Sequence, residues 1–78
     1  GDAEVSLLTD TAGRMLQSAI EGRIGEAQAA GQIDAALAPR AAAQFLMATL
    51  SGLKISGRGG ASVEDLRDIA RMAMRGLR

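Results

Sequence analysis

Cysteine, histidine, tryptophan and tyrosine are all missing from this sequence, and Phe45 is its one aromatic residue. Without Cys or His there is no thiol or imidazole chemistry, no disulfide framework and no zinc finger or haem ligand. Without aromatic platforms there is no surface on which single-stranded nucleic-acid bases could stack. These gaps argue against an enzyme, and no residue reads as a catalytic group, a metal ligand or a cofactor anchor. Proline occurs once, at Pro39, and valine twice, so neither loops nor strands find much support in the composition.

Long apolar runs are missing as well. The longest stretch free of charge runs from Ala41 to Leu53, well short of the ~20 residues a membrane-spanning helix needs. Gly1 to Val5 is small and acidic, unlike the basic then apolar start of a signal peptide. The expectation is therefore a soluble, cytoplasmic chain with no membrane partner.

What is present is a short chain rich in helix formers. Its 78 residues are 47% apolar, with nine Lys plus Arg balancing nine Asp plus Glu. A domain of this size buries only roughly 60–65% of the surface its unfolded chain exposes, and such domains usually rely on a disulfide, a metal or a partner. The first two are excluded by composition, so association is expected. The neutral total also hides a division. Residues 1–38 carry six carboxylates against Arg14 and Arg23, net −4, and residues 39–78 carry seven bases against Glu64, Asp65 and Asp68, net +4. Arg67, Arg71, Arg75 and Arg78 alternate with Glu64 and Asp68 as on a solvated helix face, which explains the basic half better than a nucleic-acid surface does.

Apolar spacing predicts three helices. The first spans about 5–30, with Leu8, Ala12, Met15, Leu16, Ala19, Ile20 and Ala27 on one face and Gly31 placed to end it. Gln32 to Ala38 forms a connector. The second helix spans about 39–56 and opens on Pro39, whose missing N–H costs nothing at that position. It has two apolar faces. One is bulky, with Ala42, Ala43, Leu46, Leu50 and Leu53; the other is mostly small, with Ala41, Phe45, Ala48, Gly52, Ile55 and Ser56. Gly57 to Gly60 breaks it, and Ser62 with Asp65 forms a capping-box pattern at the start of a third helix, about 62–77. The short link makes the last two helices an antiparallel hairpin.

No motif carries chemistry. The Gly57–Gly60 segment follows a helix and lacks the Lys and Ser/Thr of a phosphate loop. Glu21, Glu26 and Asp34 match no calcium-loop spacing, while Arg23 and Glu26 beside the apolar side of the first helix leave room for a polar contact to a ligand. The small face of the second helix is the informative feature. Ala48, Gly52 and Ser56 recur every fourth residue, so another helix could approach closely, and the first helix can cover only one of the two apolar faces.

The run EAQAAGQID from Glu26 to Asp34, then Pro39 and Ala42, Gly52 to Lys54, the glycine-rich turn and SVEDL from Ser62 to Leu66 together resemble the C-terminal part of TetR-family transcriptional regulators. The resemblance covers nearly the whole chain, through degenerate motifs. It implies a bacterial one-component regulator whose C-terminal domain binds a small-molecule effector and homodimerises through its last two helices in a four-helix bundle. DNA would be contacted only through an N-terminal helix-turn-helix, for which these residues have no segment. The fold expected is thus all-α, a three-helix fragment whose hairpin forms a four-helix bundle with a two-fold mate. The expected dimer interface is Ala41, Phe45, Ala48, Gly52, Ile55 and Ser56 with Ile69, Ala73 and Met74; the expected pocket is Met15, Leu16, Ile20, Phe45 and Leu46. The alternative is a stand-alone helical protein–protein interaction module whose groove takes an amphipathic helix.

Overall fold

In the computed structural model, which describes residues 1–78, the chain forms three α-helices and no strand: α1 (Asp2–Ala29), α2 (Pro39–Arg58) and α3 (Val63–Leu77). The boundaries follow from local chemistry. α1 and α2 end in the same way, each with a left-handed glycine that satisfies the last carbonyls. After α1, Gly31 sits at φ 76°, its N–H donates to the Gln28 carbonyl, and the Gln32 N–H donates to the Ala27 carbonyl. After α2, Gly60 sits at φ 98°, its N–H donates to Gly57, and the Ala61 N–H donates to Ser56. Both are Schellman endings. The helix expected to break at Gly57 therefore continues to Arg58, because the left-handed residue that terminates it is Gly60. At α3 the capping box forms as its residues predict: the Ser62 hydroxyl accepts from the Asp65 N–H at 3.0 Å and Asp65 accepts from the Ser62 N–H at 3.2 Å.

The connector between α1 and α2 is pinned, although it is not helical. The Gln28 side-chain amide donates to the carbonyls of Asp34, at 3.0 Å, and Leu37, at 2.8 Å. The Asp34 carboxylate accepts from the Ala36 N–H, and the Asp34 N–H donates to the Leu77 carbonyl at the end of α3 at 2.9 Å. One segment thereby ties all three helices together at one end of the molecule.

Both neighbours of α2 run antiparallel to it. Ile24 and Ile20 of α1 meet Ala42, Ala43 and Leu46 in reverse order, and Gly57 approaches Leu66 while Ala42 lies near Leu77. α2 packs along both α1 and α3, which do not pack along each other. The result is a flattened molecule of 45 × 30 × 13 Å, its short dimension close to the ~10–12 Å diameter of one helix.

That shape leaves little interior. Only Ile24, Ala42, Ala43, Ala73 and Leu77 are buried, with Ile20, Ile33, Leu37 and Leu46 packed around the Ile24–Leu77 cluster. The radius of gyration is 14.6 Å, against about 11.5 Å for a compact chain of this length. The accessible surface is 5906 Å², against about 4,450 Å² for a folded monomer of this mass.

The apolar face expected for α1 is not the one it buries. Ile24 points inward, and Met15, nine residues earlier, is about 180° away around the helix; it is 69% exposed, with Leu8 at 71%. Every residue before Gly13 is exposed. Of the expected stripe, only Ile20 and Ala27 are half-buried, because α2 spans only the C-terminal part of α1 and the connector fixes the rotation there through Gln28.

Two glycine substitutions with opposite outcomes check this account. Gly31→Ala should cost about 1–2 kcal/mol, because alanine pays for the left-handed conformation. Gly13→Ala, where an added Cβ meets nothing within 4 Å, should stabilise by roughly 0.5–1 kcal/mol through helix propensity. Urea unfolding followed by circular dichroism measures both.

Candidate association face and ligand groove

Around α2, Ile55, Ala48, Ala41, Gly52 and Phe45 fall within an arc of about 80° at 100° per residue. All five are exposed in the protomer, Ile55 to 70% and Phe45 to 43%. No charged side chain interrupts the arc. The helix's cations, Arg40, Lys54 and Arg58, cluster about 100° or more from its centre. Ser56, at the edge of the arc, is half-buried.

On α3 the expected interface residues separate. Gly76 lines the groove that Phe45 and Ala41 also line, so it marks the side of α3 adjoining the α2 arc. Ile69, two turns earlier, shares that side and is 41% exposed. Met74 lies about 160° away from Gly76 around the helix. It is 48% exposed in a shallow cleft with Ala70, Arg71, Arg75 and Arg78. Ala73 is turned into the protomer and only 8% exposed, so it is not offered to a mate. Met72, 74% exposed and one turn before Gly76, continues the face. Its position three residues after Ile69 was the available signal.

The five expected pocket residues do not converge either. Ile20 and Leu46 meet across a groove of about 430 Å³ lined also by Ala19, Arg23, Ile24, Ala27 and Ile33. Met15 and Leu16 lie outside it, 69% and 49% exposed. Phe45, 100° from Leu46 on α2, lines a separate groove of about 250 Å³ with Leu37, Ala38, Ala41, Ala42, Gly76 and Leu77. Arg23, which the sequence places beside the apolar side of α1, lines this groove, and Ile33 is the member that helical spacing missed. Ile33 arrives on the connector, whose path no periodicity encodes.

Ionic contacts between side chains are local and exposed. Arg23 pairs with Glu26 at 3.3 Å and Arg71 with Asp68 at 3.6 Å, each three residues apart on one helix. No group of three carboxylates converges on a point where a metal could sit. No helix is long and apolar enough to cross a membrane. The arrangement offers apolar surface, a groove whose one charged lining residue is Arg23, a shallow cleft lined by three arginines, and no paired acid and base.

Comparison with protein-family models, curated proteins and solved structures returned no match.

A chain with so small an interior and an uncovered face gains stability by mass action when that face is covered. If a second copy covers it, the melting temperature should rise with protein concentration, and Ile55→Lys, which places an ammonium in the arc, should abolish the rise. Differential scanning calorimetry across a hundredfold concentration range checks both.

Proposed function

We propose that this chain is the regulatory and homodimerisation domain of a TetR-like, one-component bacterial transcriptional regulator. α2 and α3 of two copies would form a four-helix bundle, and the α1–α2 groove would contribute part of a small-molecule site. DNA would be contacted through a helix-turn-helix outside these residues, and the setting would be cytoplasmic. One observation carries the reading: the exposed, charge-free arc of Ala41, Phe45, Ala48, Gly52 and Ile55, adjoined by Ile69 on α3. Its members are small or apolar and therefore self-complementary, as a two-fold contact requires.

A second reading, a stand-alone interaction module, is favoured by the uncovered Leu8 and Met15 side of α1, which a foreign amphipathic helix could cover.

Gly52→Leu separates the two. A side chain at Gly52 meets nothing within 4 Å in the protomer, so the variant should keep its helicity. In the bundle, the same leucine would hold the helices apart. Sedimentation equilibrium should find a dimer for the parent and a monomer for the variant. A monomeric parent, or a dimer indifferent to the substitution, would leave the interaction module as the better account.

A further inference from the structure

The α1–α2 groove has a composition that the association face lacks. Its floor is Ile20, Ile24, Ile33 and Leu46, and its single charged lining residue is Arg23. The floor is well determined, since Ile24 is only 2% exposed and packs on Ala42 and Ala43, while Ile33 is carried in on a connector tied at both ends. Arg23 lines the groove with its side chain 85% exposed, and its guanidinium has Glu26, at 3.3 Å, as its one ion-pair partner. By contrast, the groove beside Phe45 has no charged lining residue, the cleft between the connector and the end of α3 mixes Asp34 with Arg78, and the cleft beside Met74 has three arginines but only Met74 and Ala70 as apolar lining. An apolar trough with one cation at its rim selects by charge sign as well as by apolar area. At about 430 Å³ it lies within the usual range for small-molecule sites, roughly 300–1,000 Å³.

We propose that this groove binds a small amphipathic anion, an apolar carboxylate whose chain lies along Ile20, Ile24, Ile33 and Leu46 while its head group pairs with Arg23. The proposal deepens the effector reading above and rests on it. Arg23 presents a planar fork of donors that suits a carboxylate, and a ligand carboxylate there displaces Glu26 from the same guanidinium. Glu26 is thus a built-in competitor: it occupies the cation when the groove is empty, and neutralising it raises affinity. An alcohol of the same chain length fills the trough without using the cation, and an alkylammonium is repelled at the mouth.

Hexanoate, hexanol and hexylammonium are the probes, titrated into the full chain while the methyl resonances of Ile20, Ile24, Ile33 and Leu46 are followed by NMR. Hexanoate should shift these methyls saturably and bind more tightly than hexanol, with hexylammonium weakest. Arg23→Gln should weaken hexanoate roughly fivefold, the upper end of what a solvent-exposed ion pair yields, and leave hexanol unchanged. Glu26→Gln should strengthen hexanoate about twofold to threefold by the same reasoning. Equal binding of hexanoate and hexanol, no response to Arg23→Gln, shifts confined to Leu37, Phe45 and Leu77, or no saturable shift would each overturn the proposal. Sedimentation of the same samples reports association separately. A dimer that ignores hexanoate sinks the anion site alone, and a monomer that binds it sinks the dimer reading alone.

Discussion

Everything in this fold depends on where Ile24 sits. It is the only large side chain of α1 that is fully covered, and what covers it is a pair of alanines, Ala42 and Ala43, together with Leu77 from the end of α3. Two adjacent methyl side chains on α2 let the backbone of α1 come close, so Ile24 and Leu77, from the two flanking helices, join one buried cluster around Ala42 and Ala43. The connector reinforces the same spot, because Gln28 holds its two carbonyls and Asp34 reaches the last turn of α3. Stability is consequently concentrated at one end of the molecule. The N-terminal half of α1 leaves this anchor with nothing beside it, and the far end of the α2–α3 hairpin depends on the Gly60 turn and the contact of Leu66 beside Gly57.

A flattened arrangement of three helices has a geometric consequence for function. In a closed bundle each helix turns one stripe inward and solvates the rest. Here α2 is the only element with neighbours on two sides, and it still keeps an apolar arc uncovered. Further burial cannot come from α1 or α3, since both already pack against α2 elsewhere on its circumference. Covering that arc would therefore take another molecule or another segment. The same flatness leaves the α1–α2 groove shallow, so the proposed anion site would depend on the charge of Arg23 more than on enclosure.

Much of this was legible in the sequence. Alanine and leucine content, Pro39 at a helix start, Gly31 after a helix end and the Ser62–Asp65 box name three helices to within a few residues, because each signal is local. The small arc of α2 was legible for the same reason: spacing alone places Ala41, Phe45, Ala48, Gly52 and Ile55 together. What could not be read was the rotation of α1. Its bulkiest side chains, Leu8, Met15 and Leu16, outweigh Gly13, Gln17 and Ile24 in any hydrophobic count, yet the second set lies on the inward side. The choice is made by partners far away in sequence, Ala42, Ala43 and Leu77, and by Gln28 gripping the connector. The expected pocket residues are dispersed as a result: Met15 lies opposite Ile24 on α1, Leu16 shares the side of Ile20 and Arg23 but precedes the groove, Phe45 lines a separate groove, and Ile33 enters from a segment with no period.

The charge division takes its meaning from the same geometry. Acidic α1 packs against α2, which carries Arg40, Lys54 and Arg58 and no carboxylate, while α3 is neutral, its Arg67, Arg71 and Arg75 balanced by Glu64, Asp65 and Asp68. The ion pairs between side chains are local to one helix. α2 contributes three cations, all turned away from its apolar arc. A partner approaching that arc therefore meets a strip with no ion to strip of water, bordered at a distance by charges that stay solvated. Burying an unpaired charge costs several kcal/mol, and the uncovered arc has no charge to bury. For a second copy this holds on both sides of the contact at once, because a two-fold axis through the arc would set the same uncharged residues against themselves. A foreign helix would have to supply that match separately, and it is on this chemistry of the strip, more than on its size, that the proposed contact between two copies rests.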